Sequence, residues 1–190
     1  MRSSRWIVAT SMGFALTGIA LHSPGASAVG NAFLDWDISA AVFGAILGTI
    51  AGSVTGILQI VALRIRTLRV VAATAVAVAI AHALADGAPA VWGVPTVAAL
   101  SGVTSSLAFA WAVRSREWRS LVLWAVAWCG GWLVATATAG GLGLSGGSDA
   151  AAWMTEHAVI GTILGLAWGA ATSPATRRIL GGERALSSAG

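Results

Sequence analysis

Long apolar stretches punctuated by small clusters of arginine decide what this chain can become. Six such segments run Trp6 to Leu21, Ile38 to Leu63, Val70 to Ala85, Val91 to Val113, Leu121 to Ala139 and Ala158 to Pro174. A helix rises about 1.5 Å per residue, so about 20 residues cross the hydrocarbon layer of a bilayer, where only helices or closed barrels satisfy their own backbone hydrogen bonds. Unbroken apolar runs do not fit the alternation of a barrel strand. The expected fold is therefore all-α, a polytopic membrane protein whose six helices form a bundle. Composition agrees. A chain of 190 residues that is 57% hydrophobic and 9% charged, with mean hydropathy +0.82, excludes a disordered chain, a collagen and a water-soluble enzyme with a charged surface. The single cysteine, Cys129, excludes an internal disulfide and a cysteine-based zinc site.

The charges orient the chain. All 11 basic residues are Arg, and Arg is retained on the cytoplasmic side of short loops. Arg2 and Arg5 precede the first segment; Arg64, Arg66 and Arg69 separate the second from the third; Arg114, Arg116 and Arg119 separate the fourth from the fifth; Arg177, Arg178 and Arg184 follow the sixth. The other three loops carry Asp35, Asp37, Asp86, Asp149 and Glu156 instead. Both termini are thus expected in the cytoplasm. The net charge of +4 reports topology, and no nucleic-acid partner is expected. A competing reading concerns the start, where Arg2, Arg5, the apolar stretch to Leu21 and Ala26-Ser27-Ala28 also match the three parts of a signal peptide cleaved after Ala28.

Aligning Arg64, Arg114 and Arg177 superimposes the even-numbered segments without a gap. Gly48, Gly52 and Gly56 then match Ala98, Gly102 and Ser106, and both match Gly161, Gly165 and Gly169; the second segment extends its series back through Gly44. Residues four apart keep to one helix face, so these are small-xxx-small stripes that let two backbones approach closely. The odd-numbered segments align more loosely from Arg5, Arg69 and Arg119. The chain accordingly divides into three tandem transmembrane hairpins, residues 1–66, 67–116 and 117–180, with a short, loose cytoplasmic tail at 181–190. The expected helix-packing residues are Gly44, Gly48, Gly52, Gly56, Gly102, Gly161, Gly165 and Gly169. The competing reading is that Ala- and Gly-rich membrane helices resemble one another through composition alone.

The stretch GAILGTIAGSVTGILQIVALRIR from Gly44 to Arg66, preceded by RWIVATSMGFAL, resembles a family of uncharacterised bacterial multi-spanning membrane proteins. In that family a Trp-led helix alternates with a Gly-rich helix carrying a glutamine and a closing Leu-Arg. The match runs through Gly44, Gly48, Gln59 and Arg64 and is fair over Trp118 to Arg178, while the middle hairpin departs with Phe109 in the place of Gln59. The resemblance implies a multi-pass protein of the bacterial cytoplasmic membrane. It brings no catalytic residue and no ligand.

Polar chemistry within the segments is sparse. Gln59 stands about one turn from Arg64, where a packing role is the commoner use of an intramembrane amide. His22, His82 and His157 all fall near the ends of segments that are expected to face outward. His82 and Asp86 are four apart on one helix face, and Glu156 adjoins His157, so His82, Asp86, His157, Glu156 and His22 form a candidate set for a divalent metal, set against ordinary interfacial anchoring. The string VAIAHALA around His82 admits a tetrapyrrole reading, since an axial histidine among small residues suits haem or chlorophyll. Neither reading is strong enough to assign a metal or cofactor. Gly141, Gly143, Ser145, Gly146 and Gly147 spell two enzyme-like glycine motifs without the strand that either needs. Trp124, Trp128 and Trp132 recur every four residues as an aromatic face for lipid, a groove or a stacked ligand.

The function expected from these residues is that of a non-enzymatic integral membrane protein, a packing bundle or a subunit of a membrane assembly. Its partners would be the lipid bilayer and, through the glycine stripes, itself or other membrane subunits. The alternative is a small-solute transporter or substrate-binding membrane subunit. A polar cavity on the bundle axis would favour the second, and glycine stripes in contact with no pocket the first.

Overall fold

The computed structural model describes residues 2–21, 23–25, 28, 39–64, 68–87, 93–113, 117–144 and 149–187. Among them there is no strand. Six long helices follow one another: α1 (Arg2–Leu21), α2 (Ala40–Leu63), α3 (Leu68–Gly87), α4 (Gly93–Val113), α5 (Trp118–Gly141) and α6 (Ala150–Ser187). Five stretches of the described residues are long and apolar enough to cross a membrane, Ser3–Leu21, Ala40–Leu63, Leu68–Gly87, Trp118–Gly141 and Ala150–Ala175. α4, with 21 residues, reaches about 30 Å at the helical rise, the thickness of a bilayer's hydrocarbon core. The chain has the all-helical architecture of a six-helix membrane bundle.

Helix ends follow local chemistry. Ser39 caps α2, its hydroxyl accepting the Val42 N–H at 3.4 Å. Arg64 closes the same helix at φ 55°, donating its N–H back to the last-turn carbonyls of Ile60 and Val61. α6 begins eight residues ahead of the apolar segment because Asp149 caps it, Oδ1 accepting the Ala152 N–H at 2.6 Å. It also runs on through Pro174 to Ser187, so most of the tail expected to be loose is helical. Proline removes one N–H from the helical ladder. Near a membrane end, water and headgroups can take the carbonyl it leaves unpaired.

The helices close into a ring: each packs against its neighbours in sequence, and α6 packs against α1. Neighbours are antiparallel, which places Arg5, Arg64, Arg69 and Arg119 at one end, called here the arginine end. The glycines decide how closely the helices approach. A Cβ added at Gly48 would lie 2.5 Å from the Val78 carbonyl oxygen, one at Gly56 would lie 2.6 Å from the Val71 Cα, and Gly44 and Gly52 sit equally tightly on His82 and Thr74. α2 thus lies backbone to backbone on α3. Gly161, Gly165 and Gly169 do the same for α6 on α1, meeting Phe14, Ser11 and Ile7. Gly102 meets the Ala125 carbonyl across α4 and α5, with 2.8 Å to a built Cβ. Every stripe therefore faces the next odd-numbered helix around the ring, and all eight stripe glycines are covered by this chain's own backbone.

Large apolar side chains such as Val8, Leu16, Ile50, Val61, Leu107 and Val126 point outward, each about half exposed, as on a lipid-facing surface. Most threonine hydroxyls fold back onto the carbonyl four residues earlier, as Thr17 does on Gly13 and Thr162 on Ala158, which satisfies them without water.

Candidate functional site

The ring encloses two different halves. In the arginine-end half six aromatic side chains fill the axis: Trp6 and Phe14 from α1, Phe109 from α4, Trp124 and Trp128 from α5, and Trp168 from α6. Their rings meet edge to face, with centroids 5.0 Å apart for Phe109 and Trp168, 5.2 Å for Phe109 and Trp124, and 5.4 Å for Trp128 and Trp168, the arrangement that aromatic quadrupoles favour. Two of the indoles are tied to α6: Trp6 Nε1 donates to Thr172 Oγ1 at 2.9 Å and Trp124 Nε1 to the Ala171 carbonyl at 3.0 Å. The Nε1 groups of Trp128 and Trp168 are buried with no oxygen or nitrogen partner; inside this stack a neighbouring ring face is the acceptor at hand.

Beside the aromatic plug lies a polar bridge. Gln59, fully buried, donates from Nε2 to Thr10 Oγ1 at 2.9 Å, and its Oε1 accepts from Thr74 Oγ1 at 3.1 Å. One amide thereby joins α1, α2 and α3. Thr55, one turn earlier on α2, is buried against Gly13, and its hydroxyl has no partner.

Toward the other end the axis opens into a cavity of about 170 Å³. Every helix contributes to its wall: Phe14 and Leu21 from α1, Leu47 from α2, His82 and Asp86 from α3, Ser101 from α4, Trp128 and Trp132 from α5, and His157 and Leu164 from α6. Phe14, Trp128 and Leu164 form its floor on top of the plug. Asp86, exposed in the last turn of α3, stands at the rim. Its carboxylate lies over the bare backbone of Gly44, where an added Cβ would come within 2.5 Å of Oδ2.

Both described imidazoles have a settled tautomer. Nδ1 of His82 lies 3.1 Å from the Val78 carbonyl oxygen, and Nδ1 of His157 lies 2.9 Å from that of Trp153. A carbonyl only accepts, so each Nδ1 carries the proton, and in the neutral ring each Nε2 carries a lone pair. The His157 ring also stacks on Trp153, with centroids 5.5 Å apart and 11° between planes.

Of the candidate metal set, His82, Asp86 and His157 line this one cavity, and Glu156, next to His157, is not among its lining. His22 lies outside the described residues, as do Asp35 and Asp37. No group of three or more His, Cys, Asp or Glu is placed to hold a metal ion among the described residues. The space around His82 compares with the roughly 150 Å³ that holds one benzene, so a tetrapyrrole does not fit there. Gln59, expected to pack, is buried in interhelical hydrogen bonds and is not among the residues that line the cavity. The tryptophan face of α5 turns inward, with Trp124 and Trp128 in the plug and Trp132 on the cavity wall. Trp118 is exposed at the arginine end, with the Arg119 guanidinium 5.8 Å over its ring. Trp6, Phe14 and Trp168 gave no signal of their own in the sequence, because nothing short of the ring shows that they converge.

No known family, curated protein or solved structure matches the chain. What the fold and cavity define is an integral membrane protein of the helical-bundle class.

Proposed function

We propose that this chain is a non-enzymatic membrane protein that admits a small solute to the axial cavity from the extracytoplasmic side, as a substrate-binding membrane protein or small-solute transporter. The observation that carries this reading is a cavity walled by all six helices and closed toward the arginine end by a plug of six packed aromatic rings. A bundle serving packing alone has no use for an axis filled over one half and hollow over the other. The glycine stripes favour a self-contained bundle over a subunit, because each is already occupied within the chain. In this reading the arginine end faces the cytoplasm of a bacterial cell, the three hairpins are a tandem repeat about an axis along the membrane normal, and the kinship is with the multi-spanning proteins that the first hairpin resembles. Gly102, alone in its stripe, explains why the α4–α5 seam is the least intimate of the three.

The test is thiol accessibility in intact cells, with Cys129→Ser as background. Ser101→Cys, on the cavity wall, is expected to react with a membrane-impermeant maleimide added outside, and Ser106→Cys, buried one turn and a half deeper, to stay protected. Reaction of Ser101→Cys only in inside-out vesicles would invert the orientation. Reaction from neither side would mean that the cavity has no aqueous opening, and the binding reading would fall.

A further inference from the structure

We infer that the solute is a small organic cation, a protonated amine on an apolar body of about the size of one aromatic ring; this rests on the binding reading above. The cavity wall divides by chemistry along its depth. Its floor and sides are Phe14, Leu47, Trp128, Trp132 and Leu164, without a formal charge. Among the described residues its rim holds one carboxylate, Asp86, and no arginine or lysine lines it. His82 is one turn deeper on the same face of α3, with Nδ1 committed to the Val78 carbonyl, so its Nε2 is left as an acceptor for an N–H group. An ammonium head would thus meet one negative charge and one lone pair, while its apolar body would rest among aromatic side chains whose faces also attract cations.

Competing ligand classes fit less well. An anion would meet Asp86 with no arginine or lysine beside it among the described residues of the wall. A neutral apolar molecule would leave unexplained why Asp86 is seated at the rim over Gly44, the one glycine of that stripe whose missing side chain makes room for a carboxylate. A divalent metal lacks a group of three side-chain ligands among the described residues. Size narrows the class further, because about 170 Å³ exceeds only slightly the roughly 150 Å³ of a cavity that takes up one benzene.

The experiment is isothermal titration calorimetry on the purified full chain in nanodiscs with two probes of one shape, benzylamine and benzyl alcohol, at a pH where the amine is protonated. Benzylamine is expected to bind at least tenfold more tightly than benzyl alcohol. Asp86→Asn, which keeps the shape of the side chain, should bring the two within about twofold by weakening the amine alone. Ala85→Trp, at an exposed residue that lines the cavity, should abolish binding of both while the protein keeps its gel-filtration profile. Equal affinities in the unaltered protein, or a preference that survives Asp86→Asn, would overturn the cation assignment and leave the cavity reading standing. Absence of binding by both probes, or binding undiminished by Ala85→Trp, would overturn the cavity reading itself.

Discussion

Replacing Gly52 by alanine tests the load borne by the glycine stripes. The added methyl would clash with the Thr74 carbonyl oxygen and lie 2.6 Å from the Ala75 Cα, roughly 1 Å inside the separation at which carbon atoms attract. Both obstacles are backbone, so no side chain can swing aside, and α2 must move from α3 along a seam that three other glycines hold equally close. Overpacking of this kind costs about 1–3 kcal/mol. Against it stands the intrinsic gain of about 1 kcal/mol for Gly to Ala inside a helix. The expected net effect for Gly52→Ala is a loss of up to about 2 kcal/mol against the unaltered protein, and of about 1–3 kcal/mol against a glycine-to-alanine change that meets no obstacle. Gly130→Ala is the control: it lies inside α5 with nothing within 4 Å of an added Cβ, so only the helical gain remains and stability should hold or rise. Reversible unfolding of both variants in mixed micelles, followed by far-ultraviolet circular dichroism, measures the difference. If Gly52→Ala is as stable as Gly130→Ala, close backbone approach is not what holds α2 to α3.

Two further substitutions probe the interior. Gln59→Leu removes the bonds to Thr10 and Thr74; interhelical bonds in membranes are worth about 0.6 kcal/mol each on average, so the same unfolding assay should show a loss of about 1–2 kcal/mol, and an unchanged midpoint would deny the bridge between α1, α2 and α3 any energetic role. Trp168→Ala takes out the ring that contacts Phe14, Phe109 and Trp128; the expected cost is about 3–5 kcal/mol, and a cost below 1 kcal/mol would mean that the six rings are not tightly packed.

Much of the architecture is legible from short-range pattern. Apolar length sets which segments become helices, and four-residue spacing sets which glycines share a face. The His82 and Asp86 pairing is legible for the same reason, since residues four apart lie on one helix side. The limits of the pattern show at α6. Its start depends on Asp149 reaching the Ala152 N–H, and its continuation past Pro174 depends on surroundings that tolerate one broken backbone bond; hydropathy registers neither. Phe109 is the sharper case. In sequence it is only the residue that breaks the match with Gln59, whereas in the ring it is fully buried against Trp6, Trp124 and Trp168.

What the amino-acid order determined alone is everything that depends on neighbours along the chain: six apolar helices, the gathering of arginines at alternate turns, and stripes of small residues ready for close contact. Which helix each stripe would meet was decided only in three dimensions, because a stripe specifies how near a partner can come and not which partner arrives. Ring closure of α6 onto α1 brings Trp6 to Thr172 and gathers six rings from four helices into one plug. The same closure carries His157 to the cavity that His82 and Asp86 already line, uniting on one axis groups separated by more than seventy residues of chain.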